Sequence, residues 1–145
     1  MGSINGYSVL VTGGGSGIGE AAAAKLAADG ANVMICGRTE EKLIAATERI
    51  KAGAADSTTV AHMVADVTDE DSVQSAVAAA TELTGRLNGL FACAGGSTGV
   101  GPLATSDVET IRSTMELNYI GTFLCIKHGG TQMARQEDGG SIIGC

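Results

Sequence analysis

Residues 12–19 read TGGGSGIG, five glycines in eight positions, set between the apolar run SVLVT and the alanine-rich stretch EAAAAKLAA. Glycine there permits positive φ and removes the Cβ that would hold a ligand off the main chain. A bare turn at the mouth of a helix leaves amide N–H groups unpaired, with the positive end of the helix dipole behind them. That combination suits a phosphate or diphosphate. The candidate contacts are Gly13, Ser16, Gly17, Ile18 and Gly19. Their spacing is GxxxGxG, not the GxxxxGK[ST] of triphosphate-hydrolysing loops, and no lysine follows the glycines in that register.

Such a turn works only if strands and helices place it, and the chain alternates accordingly. Apolar strand patterns occupy residues 7–12, 32–36, 58–64 and 87–93, and a fifth starts at residue 141. Helical patterns lie between them over residues 18–29, 39–51, 69–83 and 107–134. Gly30 and Gly85 close two of these helices, and Thr39, Asp69 and Asp107 stand at N-caps. The second helix is expected to bury Leu43, Ile44, Ala46, Thr47 and Ile50, and the long last one to loosen near Gly121 or Gly129 and Gly130. A β-α repeat with short connections implies one domain over residues 1–145. Its expected architecture is a doubly wound, parallel α/β sheet in three layers. Ligands of such sheets bind beyond the carboxyl ends of the strands, where strand order reverses.

Composition narrows the function. Aromatic residues are 3% of the chain and the net charge is −7, so neither a stacking platform nor a basic stripe for nucleic acid is present. No apolar run approaches the roughly 18 residues of a membrane helix, and there is no signal-peptide pattern at the start, so a cytoplasmic location is expected. Cys36, Cys93, Cys125 and Cys145 form no CxxC pair, and Cys36 and Cys93 sit in apolar runs where a reduced thiol packs as a small hydrophobe. His62 and His128 are isolated, so no metal site is expected.

TGGGSGIG resembles the cofactor loop of the short-chain dehydrogenase/reductase family, a Rossmann-type fold. Other stretches match in order: ADVTD at residues 65–69 resembles the family's adenine-binding turn, CAG at 93–95 its NAG motif, MELNYIGTF at 115–123 its asparagine-bearing helix, and GGSII at 139–143 the strand that leads to its serine. The resemblance spans essentially the whole chain. It implies that Asp66 and Val67 receive the adenine and that Ala94 and Gly95 let the main chain approach the nicotinamide ribose. It implies further that Asn118 is catalytic, helping to place a proton-relaying water. Cys93 departs from the family pattern, since a thiol ties strands together less well than an asparagine amide.

NAD-specific Rossmann domains place an acidic residue about 20 positions past the glycine loop, on the ribose 2′-hydroxyl. Here Cys36 and Gly37 carry no acid and Arg38 follows. A guanidinium pairs with a 2′-phosphate, to which the Ser16 hydroxyl adds a contact, so NADP(H) is favoured over NAD(H). The implied activity is hydride transfer between nicotinamide and a small-molecule carbonyl or alcohol, in a protein that is a homo-oligomer at full length. The family's Tyr-x-x-x-Lys is absent, because Val11 and Phe123 stand four residues after Tyr7 and Tyr119. The fold is therefore expected to be truncated after the start of strand five. Three origins remain open: a longer parent enzyme, a second chain that completes the fold, or a short nucleotide-binding module without catalysis. A 145-residue product alone is expected to be marginal, associating and inactive, with Ile142 and Ile143 on an open sheet edge.

Overall fold

Each apolar run is long enough for one strand and too short for a buried helix, and the computed structural model turns them into a single parallel sheet. It describes residues 4–97, 99 and 101–145. The strands are β1 (Ser8–Thr12), β2 (Asn32–Gly37), β3 (Val60–Val64), β4 (Gly89–Ala92) and β5 (Ser141–Gly144). Their spatial order is β3-β2-β1-β4-β5, with every pairing parallel. The order reverses at β1, which lies between β2 and β4.

The helices are α1 (Gly17–Ala28), α2 (Glu40–Ala52), α3 (Glu70–Glu82), α4 (Val108–Met115) and α5 (Gly121–Ala134). Side chains alternate across a strand, and β1 shows the result. Val9 and Val11 pack with Ala23 and Ala27 of α1 and with Leu43, Ala46 and Ile50 of α2. Leu10 faces the other way, toward Val73 and Val77 of α3 and Leu124 of α5. The three layers are thus α1–α2, sheet, and α3–α5, in a Rossmann-type arrangement.

Several boundaries differ from the sequence pattern for local reasons. Strand three begins at Val60, because Ser57 takes a left-handed φ of +64° and the Thr59 amide bonds to the Asn32 side chain at 2.8 Å. Strand four is only Gly89–Ala92: Asn88 instead exchanges hydrogen bonds with Ser8, and the Cys93 amide turns to Thr12. Ile44 is 48% exposed, outside the buried face made by Leu43, Ala46, Thr47 and Ile50. Asp69 and Asp107 accept from the amides of Ser72 and Thr110 as N-caps, whereas the Thr39 side chain makes no cap bond. Gly30 lies one residue past the cap of α1 at φ +93°.

The last helical region loosens at Glu116–Ile120, which forms one π-helical turn, and not at Gly129 or Gly130. Those later glycines sit in regular helix, where Gly129 lets Leu90 pack against the helix backbone. Gly121 likewise admits Val67, whose Cγ2 would lie 2.7 Å from a Cβ added there. Glu70 of α3 accepts from Lys127 at 2.6 Å and lies 2.7 Å from His128 Nε2, joining α3 to α5.

β5 is the outermost strand beside β4. Ile142 packs toward the α5 side, while Ile143 is 63% exposed on the opposite face. Among the described residues no helix is long and apolar enough to cross a membrane, and no cluster of three or more side chains is arranged to hold a metal ion.

Candidate functional site

The glycine loop leaves β1 where the strand order reverses, and side-chain-free backbone wedges it between two neighbouring strand exits. Gly14 donates its amide to the Cys36 carbonyl beyond β2 at 3.2 Å. On the other side Gly13, at φ +69°, lies so close to the chain leaving β4 that an added Cβ would sit 2.9 Å from Ala94 Cα and 3.1 Å from the Cys93 carbonyl oxygen. A Cβ on Gly19 would overlap the Gly13 carbonyl, so α1 begins directly against the loop. Gly17, at φ +58°, differs: beyond its own helix and chain neighbours, a Cβ there would meet none of the described residues within 4 Å.

The opening of α1 is left without partners. Glu20 is the first residue whose amide reaches a helical carbonyl, that of Ser16 at 3.3 Å. The amides of Gly17, Ile18 and Gly19 therefore point out of the helix end with no partner among the described residues. The Ser16 hydroxyl makes no cap bond either. Free N–H groups, a free hydroxyl and the dipole of a twelve-residue helix converge on one spot.

Thr12 is a residue that the sequence reading passed over. Its side-chain oxygen accepts from the amides of Cys93 at 3.1 Å and Ala94 at 3.0 Å, tying the exits of β1 and β4 together. This supplies the strand tie that Cys93 cannot make. The only hint was its place immediately before the glycines. The Cys93 thiol does not simply pack in the core: it is half-buried and faces a cleft, as does Cys145.

That cleft, of about 410 Å³, is lined by Gly13, Ser16, Ile18, Gly19, Cys93, Gly95, Gly96, Asn118 and Cys145. Ala94 lies beside Gly13 and packs toward the core. Asn118 belongs to the π-helical turn, and its side-chain amide makes three hydrogen bonds. Its Oδ1 accepts from Gly96 N at 3.0 Å, and its Nδ2 donates to the carbonyls of Gly96 at 2.7 Å and Thr114 at 2.8 Å. The side chain thereby fixes the loop after β4. A Cβ on Gly95 would lie 2.6 Å from Asn118 Oδ1, so that glycine is needed for the contact.

A second cleft, of about 460 Å³, holds Arg38 with Thr68, Glu109, Arg112, Ser113, Glu116 and Leu117. The π-helical turn borders both clefts, through Leu117 and Asn118. Asp66 stands beside Arg38, and its Oδ1 accepts from the Thr68 amide at 3.0 Å and the Thr68 hydroxyl at 2.8 Å. These bonds occupy Oδ1 and leave Oδ2 for a ligand. Val67 turns inward, only 5% exposed, and packs in the core against Gly121. Any contact it makes with a ligand must come from its main chain.

The Thr68 amide foremost, then the Thr68 hydroxyl and the Arg38 charge, hold the Asp66 carboxyl below its usual range against the opposing effect of partial burial. A carboxyl depressed in the folded state stabilises the protein above its unfolded pKa of about 4, and that contribution is lost as pH falls through the lower folded value. Asp66→Asn is therefore expected to lower stability at neutral pH by about 1 kcal/mol, or about 2–4 °C in Tm. The gap should close in acid. Thermal melts of both proteins across that range measure it, and a gap independent of pH would remove the ionic role.

The model of the short chain dehydrogenase family matches residues 7–145. A 2,5-dichloro-2,5-cyclohexadiene-1,4-diol dehydrogenase of Sphingobium indicum is 36% identical over 143 residues, which is 99% of this chain and 55% of that protein. The structure of a short-chain type dehydrogenase/reductase from Mycobacterium ulcerans superposes with a TM-score of 0.93 at 44% identity, covering 98% of this chain and 51% of that one. NAD+-bound xylitol dehydrogenase superposes with a TM-score of 0.90 at 26% identity, covering 99% and 54%. The chain belongs to the short-chain dehydrogenase/reductase family. It spans about half the length of the relatives it matches.

Proposed function

We propose that this chain binds NADP(H) and forms the cofactor-binding half of a cytoplasmic oxidoreductase acting on a small carbonyl or alcohol. One observation carries the reading. Three unpaired amides, Gly17 to Gly19, open a helix against bare backbone at the point where strand order reverses. A dinucleotide's diphosphate is the ligand whose charge and shape such a cradle fits.

The remaining residues distribute along the nucleotide. Gly13 and Ala94 bring main chain together, and Gly95 and Gly96, fixed by Asn118, border the end near the nicotinamide. Asp66 offers Oδ2 to the adenine amino group, and Val67 offers its backbone. Arg38 and the free Ser16 hydroxyl take the 2′-phosphate. The nicotinamide, when bound, supplies the hydride donor or acceptor. Of this chain's own groups, Asn118 orients the loop beside it. The side chains of Tyr7 and Tyr119 do not line that cleft and lack the lysine four residues on. The chain's share of the reaction is thus binding and orientation.

Two further parts of the reading rest on the surface and the thiols. Homo-oligomerisation is supported by Met115, Tyr119, Phe123 and Ile126, large apolar side chains exposed along the last helical region. Four free cysteines suit a reducing compartment.

Arg38 tests the cofactor choice. It is exposed at the exit of β2, with no carboxylate beside it at Cys36 or Gly37. Arg38→Glu removes a charge-assisted bond worth about 1.5–3 kcal/mol, so NADPH affinity is expected to fall roughly 10–100-fold while NADH affinity holds. Fluorescence titrations with both nucleotides check this. An equal fall for both, or none for NADPH, would refute the NADP assignment.

A further inference from the structure

Strand register brings two cysteines together that are far apart in sequence. β4 and β5 pair in parallel from Gly89 with Ser141 to Ala92 with Gly144, so the next residues, Cys93 and Cys145, stand side by side. The Cys145 amide continues the ladder to the Ala92 carbonyl at 3.1 Å. Paired strands lie about 4.8 Å apart, which falls within the Cα separation of about 4.4–6.8 Å that a disulfide spans. Both side chains reach the cleft that holds Gly13, Gly95 and Asn118. We propose that Cys93 and Cys145 form a redox modification site, closing a reversible cross-strand disulfide that blocks nucleotide binding when a hydroperoxide oxidises the protein.

The other two thiols are set apart from this chemistry. Burial pushes Cys36 up to about 12 and Cys125 up to about 11, and both lie in the core between the sheet and α3–α5. They remain protonated and inaccessible. Cys93 is half-buried and raised chiefly by that burial, and after it by the neighbouring Cys145 thiol. Cys145 is exposed. Access therefore makes Cys145 the first sulfur oxidised and Cys93 the one that resolves it.

The steps balance. The Cys145 sulfur attacks the peroxide, an S–O bond forms as the O–O bond breaks, and an alcohol, or water from hydrogen peroxide, leaves with the thiol proton. The Cys93 sulfur then attacks the Cys145 sulfur. The S–S bond forms, the S–O bond breaks, and water leaves carrying the second proton. Two electrons pass from the thiol pair to the peroxide. The new bond draws the exits of β4 and β5 together below Gly95, where Asn118 and Thr12 already fix the chain.

The disulfide rests on strand geometry alone; its effect on binding rests also on the proposed cofactor site. The test is to treat reduced protein with hydrogen peroxide, block free thiols with N-ethylmaleimide, map peptides without reduction, and titrate NADPH in parallel. The expected result is a Cys93–Cys145 cross-linked peptide within one chain and a loss of NADPH affinity that dithiothreitol restores. Cys93→Ser should give no such peptide, and peroxide should leave its affinity at the value measured before treatment. Oxidised Cys145 not joined to Cys93, or joined only between chains, overturns the proposal. A disulfide with unchanged NADPH affinity overturns the blocking role. Reduced protein that fails to bind NADPH would instead sink the cofactor reading, and the peptide map would still decide the thiol pair.

Discussion

Gly17→Val is expected to lower NADPH affinity roughly 10–100-fold while leaving a folded protein. The two effects separate because of where this glycine sits. Apart from its chain neighbours and the helix's own backbone, none of the described residues lies within 4 Å of a Cβ placed there, so no packing contact with them opposes the side chain. The folding cost is the left-handed backbone at φ +58°, about 1–2 kcal/mol for a residue with a Cβ, or a fall in Tm of about 3–8 °C. The space the valine fills is the approach to the free amides at the start of α1. Holding an anion away from such donors forfeits about 1.5–3 kcal/mol per charge-assisted bond. Circular dichroism melts and NADPH titration on the same preparation read both quantities. A stable variant with unaltered affinity would place the ligand elsewhere.

Gly13→Ala is expected to act the other way, mainly on the fold. Its Cβ would sit against backbone atoms of Ala94 and Cys93 at 2.9–3.1 Å, and backbone cannot swing aside as a flexible side chain can. Left-handed strain at φ +69° adds to the overlap. Together they should cost about 3 kcal/mol or more, a drop in Tm of about 10 °C. Relief requires β1 and β4 to part, which also breaks the two bonds that Thr12 receives. Thermal denaturation measures the loss, and a Tm within about 2 °C of the parent would show that the two strand exits do not approach so closely.

These two glycines are neighbours in one motif, yet nothing in TGGGSGIG separates the one that admits a strand from the one that admits a ligand. The distinction needs the position of β4, which comes from tertiary packing. The same divide runs through the molecule. Element order was legible because apolar alternation and caps are local: Asp69 and Asp107 bond as N-caps, and positive φ at Gly85 follows α3. The glycine loop was legible because few other needs put five glycines between a strand and a helix.

What escaped the sequence depends on register and depth. The pairing of Cys93 with Cys145 follows only once Gly89 is matched to Ser141. Val67 sits in a motif read as a ligand contact, but its side chain serves the core because Gly121 leaves room for it. The π-helical turn carries no separate mark in MELNYIGTF. It shows itself through the Asn118 amide, which reaches Gly96 and Thr114 together. Thr12 looked like the last residue of a strand and proves to be a tie between two of them.

Hydrogen exchange of the protein with and without saturating NADPH tests the proposed cradle most directly, since the ligand should close the amides that the fold leaves open. Slowed exchange should appear at residues 16–19, with little change along α3 or at Ala94 and Gly96, whose amides Thr12 and Asn118 already hold. Unaltered exchange at residues 16–19 in a sample shown to bind NADPH would contradict the assignment of the glycine loop.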